Sequence, residues 1–254
     1  MCRWLAYSGS PIFPEDLIFT PDNSLAAQSL HSCKAKVSVN GDGFGLGWYG
    51  ERDVPGVYRE VLPAWSDCNL RSLASSIRSG HFFAHIRAST GTATSRRNCH
   101  PFTYGKWLFM HNGQIGDYEL QRRRLEALLH DDLYARREGS TDSELIFYLL
   151  FHFGLEENPL KALRATLEEV ARSTEASGSR KPFRCTAALT DGRTNYAVRF
   201  STDAHPPSLF WQERSEHTLI VSEPLDTAVG EWQQVPASTV LVTDPGNKVR
   251  TEAL

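Results

Sequence analysis

The sequence predicts an α+β fold, read as one domain over residues 1–254. Strand-like runs fill most of the chain up to Gly113, helical patterns fill the stretch from Asp117 to about Val170, and strand-like runs return at Phe183. Neither an internal repeat nor a change of composition marks a linker. With 41% hydrophobic and 22% charged residues, the composition is that of a globular protein able to bury a sizeable core.

Taken in order, Cys2 to Tyr7 reads as a short buried strand ended by Ser8-Gly9-Ser10-Pro11. A short helix is expected over Ser24 to His31, and Lys34 to Asn40 leads into the glycine-rich run Gly41 to Gly50. That run looks like a turn entering a strand, at a place where another backbone or a ligand comes close. It is not a phosphate loop, because no Lys-Ser/Thr follows and the apolar residues continue as a strand. Val57 to Trp65 and His81 to Ala88 read as strands, with an amphipathic helix over Asn69 to Ile77 between them. A polar loop spans Ser89 to Arg97. Lys106 to Met110 is a buried strand that ends in His111-Asn112-Gly113. Asp117 to His130 is expected as a surface helix and Asp131 to Gly139 as a charged loop. Thr141-Asp142-Ser143-Glu144 fits a capping box before the buried run Leu145 to Phe153. Asn158-Pro159 opens another helix, striped by Leu160, Leu163, Leu167 and Val170, and Ser173 to Arg180 reads as a loop. The remaining strands are Phe183 to Leu189, Thr194 to Phe200, Leu209 to Gln212, Thr218 to Val221 and Thr239 to Val242.

The totals exclude several classes. A net charge of −3 argues against a generally basic nucleic-acid binder or membrane-surface protein, and the runs Arg96-Arg97, Arg122-Arg123-Arg124 and Arg136-Arg137 are expected as solvated faces. Five cysteines without a CxxC support neither a disulfide framework nor a zinc ribbon. No signal peptide is expected, since Arg3 interrupts the first apolar run, and no apolar run reaches membrane-spanning length. The expected compartment is the cytoplasm. Nine histidines without an HExxH, and a Cys99-His100 pair too compact for a tetrahedral site, give no metal centre, and no cofactor is expected.

Chemistry is suggested by a few positions. Removal of Met1 would leave Cys2 with a thiol and a free α-amine on one residue, a nucleophile beside its own base, since an α-amine has a pKa of about 7.7–8.0. Arg87 at the end of a nearly apolar strand needs an anionic partner, either in a structural ion pair or in a ligand. Asn112-Gly113 reads either as a tight turn or as an oxyanion hole made by the Asn112 amide and the Gly113 N–H. Asp142, in the first turn of a helix, either complements the helix dipole or holds a ligand's ammonium.

Read together, these segments resemble the class II glutamine amidotransferases, members of the N-terminal-nucleophile hydrolases. The resemblance rests on Met1-Cys2-Arg3, Asn40-Gly41-Asp42-Gly43-Phe44-Gly45, His85-Ile86-Arg87-Ala88-Ser89-Thr90-Gly91, Asn98-Cys99-His100-Pro101-Phe102, His111-Asn112-Gly113 and Thr141-Asp142-Ser143-Glu144, in family order, with Ser222-Glu223-Pro224-Leu225 further on. It implies a four-layer αββα sandwich of two stacked antiparallel sheets. It also implies that Cys2 attacks a γ-glutamyl carbonyl to form a thioester, that Asn112 and Gly113 hold the oxyanion, and that Arg87 and Asp142 bind the substrate's α-carboxylate and α-ammonium, with Thr90 as a further partner. The chain has no room for a second catalytic domain. It therefore looks like the stand-alone branch, which includes the γ-glutamyl hydrolase of ergothioneine synthesis and the amidotransferase-like component of yeast glutathione degradation. Ala88 stands where several relatives carry a bulkier residue. The leaving group is left open, ammonia or a larger amine. The alternatives are a glutaminase subunit that supplies ammonia to a separate synthase, and a silent γ-glutamyl-binding sensor. Expected partners are a small γ-glutamyl molecule and, at most, a synthase or peptidase protein.

Overall fold

Strands that are apolar on both faces need cover on both sides, and two stacked sheets with helices outside them supply it. The structure is a computed structural model that describes residues 2–30, 41–88, 93–226, 231–246 and 248–254. The predicted lead-in from Lys34 to Asn40, and Thr90, lie outside the described residues.

Among the described residues, thirteen strands form two antiparallel sheets. The seven-stranded sheet contains β1 (Arg3–Ile12), β2 (Phe44–Trp48), β3 (Gly56–Glu60), β4 (Ser79–Ile86), β9 (Phe210–Arg214), β10 (His217–Val221) and β11 (Gln233–Gln234), in the order β11-β9-β10-β1-β4-β2-β3. The six-stranded sheet contains β5 (Phe102–Tyr104), β6 (Trp107–Gln114), β7 (Arg184–Thr190), β8 (Asn195–Ser201), β12 (Thr239–Thr243) and β13 (Val249–Ala253), in the order β13-β12-β8-β7-β6-β5. Helices α1 (Glu15–Ile18), α2 (Leu25–Leu30) and α3 (Cys68–Ser76) belong with the first sheet; α4 (Tyr118–Glu126), α5 (Asp131–Tyr134), α6 (Asp142–His152) and α7 (Pro159–Ala176) belong with the second.

Alternation along the strands sorts the core into three layers. On β1, Trp4 and Ala6 join Phe83, Leu108, Met110, Ala188 and Leu241 between the sheets. Their neighbours Leu5 and Tyr7 pack with Ile18, Leu25 and Leu70 under the first helical layer. Phe109, Ala187 and Leu189 face the other way, onto Phe147, Leu149 and Leu163 of the second layer. The result is the four-layer αββα sandwich. Among the described residues no helix is long and apolar enough to cross a membrane.

Several boundaries differ from the sequence reading. β1 does not stop at Ser8. Gly9 pairs with His217, and a register shift against β4 lets the strand run on to Ile12. β3 stops at Glu60, where Pro63 leads into a short 3-10 turn over Ala64–Ser66. The expected charged loop after α4 contains α5, and α7 runs through the expected loop start to Ala176. Arg137 is not solvated. Its side chain is buried and pairs with Glu126 of α4. The glycine-rich run behaves as expected, since a Cβ on Gly45 would stand 2.0 Å from the His100 carbonyl oxygen.

Candidate active site

Pairing of Arg3 with Ile86 brings the start of β1 beside the end of β4, and so sets Cys2 against Arg87-Ala88. The Ala88 N–H donates to Cys2 Sγ at 3.4 Å, and the thiol reaches the Ala88 carbonyl at 3.6 Å. Burial pushes the thiol pKa up, opposed by the Ala88 hydrogen bond and by the Arg87 charge. A thiol held in this way needs a base close by to become a thiolate.

The residue behind the thiol is itself anchored. Arg3 Nε meets Glu223 Oε2 at 2.8 Å, with side-chain exposures of 1% and 2%, and Arg3 Nη1 donates to the Cys2 carbonyl at 3.0 Å. Ser222 adds its hydroxyl to the Trp4 N–H at 2.9 Å. Sequence reading quoted both segments without giving them a role; the available signal was an arginine inside a buried strand, which requires a buried anion. Removing one partner of such a pair leaves the other charge stranded. Glu223→Ala is expected to cost about 3–5 kcal/mol of stability, whereas Glu223→Gln, which keeps an acceptor of the same shape, should cost less. Thermal unfolding reads both, and an unchanged midpoint for the alanine variant would mean that solvent reaches Arg3.

Arg87 is 3% exposed, just beyond β4. Its Nη1 donates to the Asp42 carbonyl at 3.3 Å and its Nη2 to the Ala93 carbonyl at 3.2 Å, while its own N–H reaches the Gly43 carbonyl at 2.8 Å. The Asp42 and Ala93 carbonyls thus grip the guanidinium from two sides.

Asn112 and Gly113 lie inside β6, opposite Thr186 and Cys185 of β7, so the tight-turn reading is excluded. The Asn112 carbonyl accepts from Thr186 Oγ1 at 3.1 Å. Gly113 has a φ of +157°, and a Cβ there would stand 1.8 Å from the Arg184 carbonyl oxygen, so no larger residue fits.

Asp142 opens α6, whose Thr141 caps by accepting the Glu144 N–H at 3.1 Å. The capping box is only half formed, because the Glu144 carboxylate reaches farther back and takes the N–H groups of Glu138 and Gly139, both at 2.9 Å. Asp142 Oδ2 accepts from the Ile115 N–H and Oδ1 from the Ser143 N–H, each at 2.8 Å. The helix start is thereby joined to the strand end just past Asn112-Gly113. A carboxylate has about four acceptor positions, so capacity remains for a cation.

Three histidines from the recognised segments, His85, His100 and His111, are buried beneath these residues. His85 Nε2 lies 3.4 Å from the His111 carbonyl and so joins the two sheets; its ring packs 4.1 Å from that of His100. His111 Nδ1 meets Ser143 Oγ at 2.8 Å. Burial depresses all three: His85 to about 3, His100 well below its usual range, and His111 downward against the pull of Asp142. His81, bonded to Asn195 at 2.7 Å, is lowered by burial as well.

These imidazoles stay neutral in the folded chain while the unfolded chain binds protons from about pH 6.5 downward. The unfolded state therefore holds more protons between that value and the depressed folded values, and stability falls as pH falls through this window. The slope is up to about 1.4 kcal/mol per pH unit for each histidine. A thermal midpoint that is flat above pH 7 and drops steeply below about 6.5 is the expected result. A flat midpoint down to acid pH would contradict neutral burial.

Comparison with known proteins gives the family. Residues 18–205 match the family model described as glutamine amidotransferases class-II. The chain is 30% identical over 289 residues to the probable glutamine amidotransferase DUG3 of Saccharomyces cerevisiae, covering 95% of this chain and 81% of the relative. It is 28% identical over 238 residues to the gamma-glutamyl-hercynylcysteine sulfoxide hydrolase of Mycolicibacterium smegmatis, covering 93% and 92%. A solved glutamine aminotransferase class-II domain protein from Silicibacter pomeroyi superposes with a TM-score of 0.78 at 34% identity, covering 100% of this chain and 99% of the other. The glutamine phosphoribosylpyrophosphate amidotransferase of B. subtilis shares the fold at a TM-score of 0.69 and 14% identity, over 99% of this chain and 49% of that one. Matched over most of its length by the family model, the chain belongs to the class II glutamine amidotransferases.

Proposed function

We propose that this chain is an amidohydrolase that cleaves the γ-glutamyl amide bond of glutamine or of a γ-glutamyl conjugate through a thioester on Cys2, all 254 residues serving as one domain. The observation that supports the reading is that two hydrogen-bonded groups meet through the His85–His111 contact of their strands: Cys2 hydrogen-bonded to Ala88 beside Arg87, and Asp142 tied to the strand of Asn112-Gly113. Once Met1 is removed, the α-amine takes the Cys2 proton as sulfur attacks the carbonyl. The Asn112 amide and the Gly113 N–H hold the oxyanion, and loss of one such donor costs about 10²–10³-fold in rate. The tetrahedral centre collapses, the C–N bond breaks, and the leaving amine receives the proton from the α-ammonium. Water then attacks the thioester, the α-amine takes its proton, and glutamate departs as the thiol re-forms.

Arg87 would pair with the α-carboxylate and Asp142 with the α-ammonium, with Thr90 as a further partner of the head group. Both charges read only the glutamyl part, so the same site serves amines of different size. The mycobacterial relative, a hydrolase named for a γ-glutamyl conjugate, favours an amine larger than ammonia. Free thiols at Cys2, Cys68, Cys99 and Cys185 suit a reducing compartment, and the cytoplasm is the compartment this reading assigns.

Intact-mass measurement with 6-diazo-5-oxo-norleucine, a diazo-ketone analogue of glutamine, tests the reading together with glutamate release from glutamine and from γ-glutamyl conjugates. Loss of Met1, one adduct on Cys2 and released glutamate are expected. Absence of both adduct and glutamate would remove the proposal.

A further inference from the structure

Asn98 was read from the sequence only as the first residue of the segment Asn98-Cys99-His100-Pro101-Phe102. It is 2% exposed and ends a short 3-10 turn over Arg96–Asn98. Both ends of its amide are used. Nδ2 donates to the Ala93 carbonyl at 2.9 Å, and Oδ1 accepts from the Ser140 N–H at 3.0 Å. Each contact leads to one of the two charges assigned to the substrate's head group. The Ala93 carbonyl is the same oxygen that receives Arg87 Nη2 at 3.2 Å. Ser140 precedes the cap Thr141 and Asp142, and this loop is held from its other side by Glu144 through the N–H groups of Glu138 and Gly139.

One rigid planar group therefore stands between the loop that grips the guanidinium and the loop that begins the helix of the carboxylate. We propose that Asn98 is a positioning residue that sets the spacing of Arg87 and Asp142, and with it the selectivity of the site for molecules carrying both an α-carboxylate and an α-ammonium. The inference rests on the γ-glutamyl reading above and adds a residue to it. Chemistry explains the residue type. An asparagine supplies one donor and one acceptor at a fixed separation, whereas an aspartate has no donor for the Ala93 carbonyl and an alanine satisfies neither side. Without the amide, the two loops are joined through longer paths and the two charges lose their common reference.

The test compares two electrophiles on the same thiol. 6-Diazo-5-oxo-norleucine carries the amino-acid head group; iodoacetamide does not. Rates of Cys2 labelling are measured by mass mapping of the Cys2 peptide, since Cys68 is also a free, exposed thiol, in the wild-type chain, Asn98→Ala and Asn98→Asp, with thermal unfolding as a check on folding. The expected result is a fall of about tenfold to a hundredfold with the diazo-ketone in Asn98→Ala, matching the usual effect of unmade buried hydrogen bonds, and little change with iodoacetamide. Protection by L-glutamate should weaken more than protection by glutarate, which lacks the ammonium. Should the alanine variant fail to fold, the near-isosteric aspartate variant carries the same comparison. Equal losses with both electrophiles, or equal weakening of both protectants, would assign Asn98 a merely structural role; unchanged rates would remove it from the site. A wild-type chain that gains nothing from the head group would instead defeat the γ-glutamyl reading itself, whatever Asn98 does.

Discussion

Cys2→Ser is expected to lower turnover by about three orders of magnitude or more, and to abolish the diazo-ketone adduct, with little change in thermal stability. Sulfur and oxygen differ little in size, and Cys2 is a half-buried residue just before β1, so the fold tolerates the exchange. The chemistry does not, because a hydroxyl at neutral pH is a far poorer nucleophile than a thiol. Burial already holds the Cys2 thiol above its ordinary pKa. Attack therefore depends on a base that acts during the reaction and not on a standing thiolate. The α-amine is the group that removal of Met1 would free for this task, so a chain that keeps Met1 should be as slow as the serine variant even with its thiol intact. Glutamate release and intact mass read both arms. Wild-type rates in Cys2→Ser would sink the mechanism; full activity with Met1 retained would transfer the role of base to another group.

How much of this was legible in the sequence depended on how local the information was. Runs of apolar residues marked β4, β7, β8 and β12, because each strand buries both faces against layers the same sequence supplies. Asn112-Gly113 shows the limit of local reading. The dipeptide is a turn signal, yet β7 pairs with it residue for residue, and long-range pairing overrides the local preference. β13 had no visible alternation, since Arg250 and Glu252 are charged and half exposed; its strand form comes from pairing with β12. The contact between Arg3 and Glu223 spans 220 positions of sequence, and no window could have joined them. Family order of motifs supplied what windows could not: it is the ground on which Cys2, Arg87, Asn112, Gly113 and Asp142 are assigned to one site. It offered no role for Asn98, Arg3 or Glu223, whose partners are carbonyls, amides and one buried charge that only the folded chain brings together.

Arg87→Ala is expected to raise KM for a γ-glutamyl substrate by about a hundredfold, within the 2–5 kcal/mol that truncating one side of a buried charge pair usually costs, while kcat changes less. The guanidinium offers five N–H donors in a rigid fork, and the carbonyls of Asp42 and Ala93 fix the direction of that fork without adding negative charge of their own at those two contacts. A carboxylate meeting the fork side-on gains two parallel charge-assisted bonds. The reacting amide lies at the other end of the glutamyl chain, so the pairing is made alike in the ground state and the transition state, which is why KM should carry the effect. Arg87→Lys should recover little, because a point charge on a flexible stem cannot keep the Asp42 and Ala93 contacts and present a planar fork at once. Removal of the fork also takes one donor from each of those carbonyls, Asn98 remaining on that of Ala93, and a stability loss of about 1–3 kcal/mol should accompany the kinetic change. An unchanged KM alongside that stability loss would show that Arg87 serves the fold, and the search for the carboxylate partner would pass to another cation.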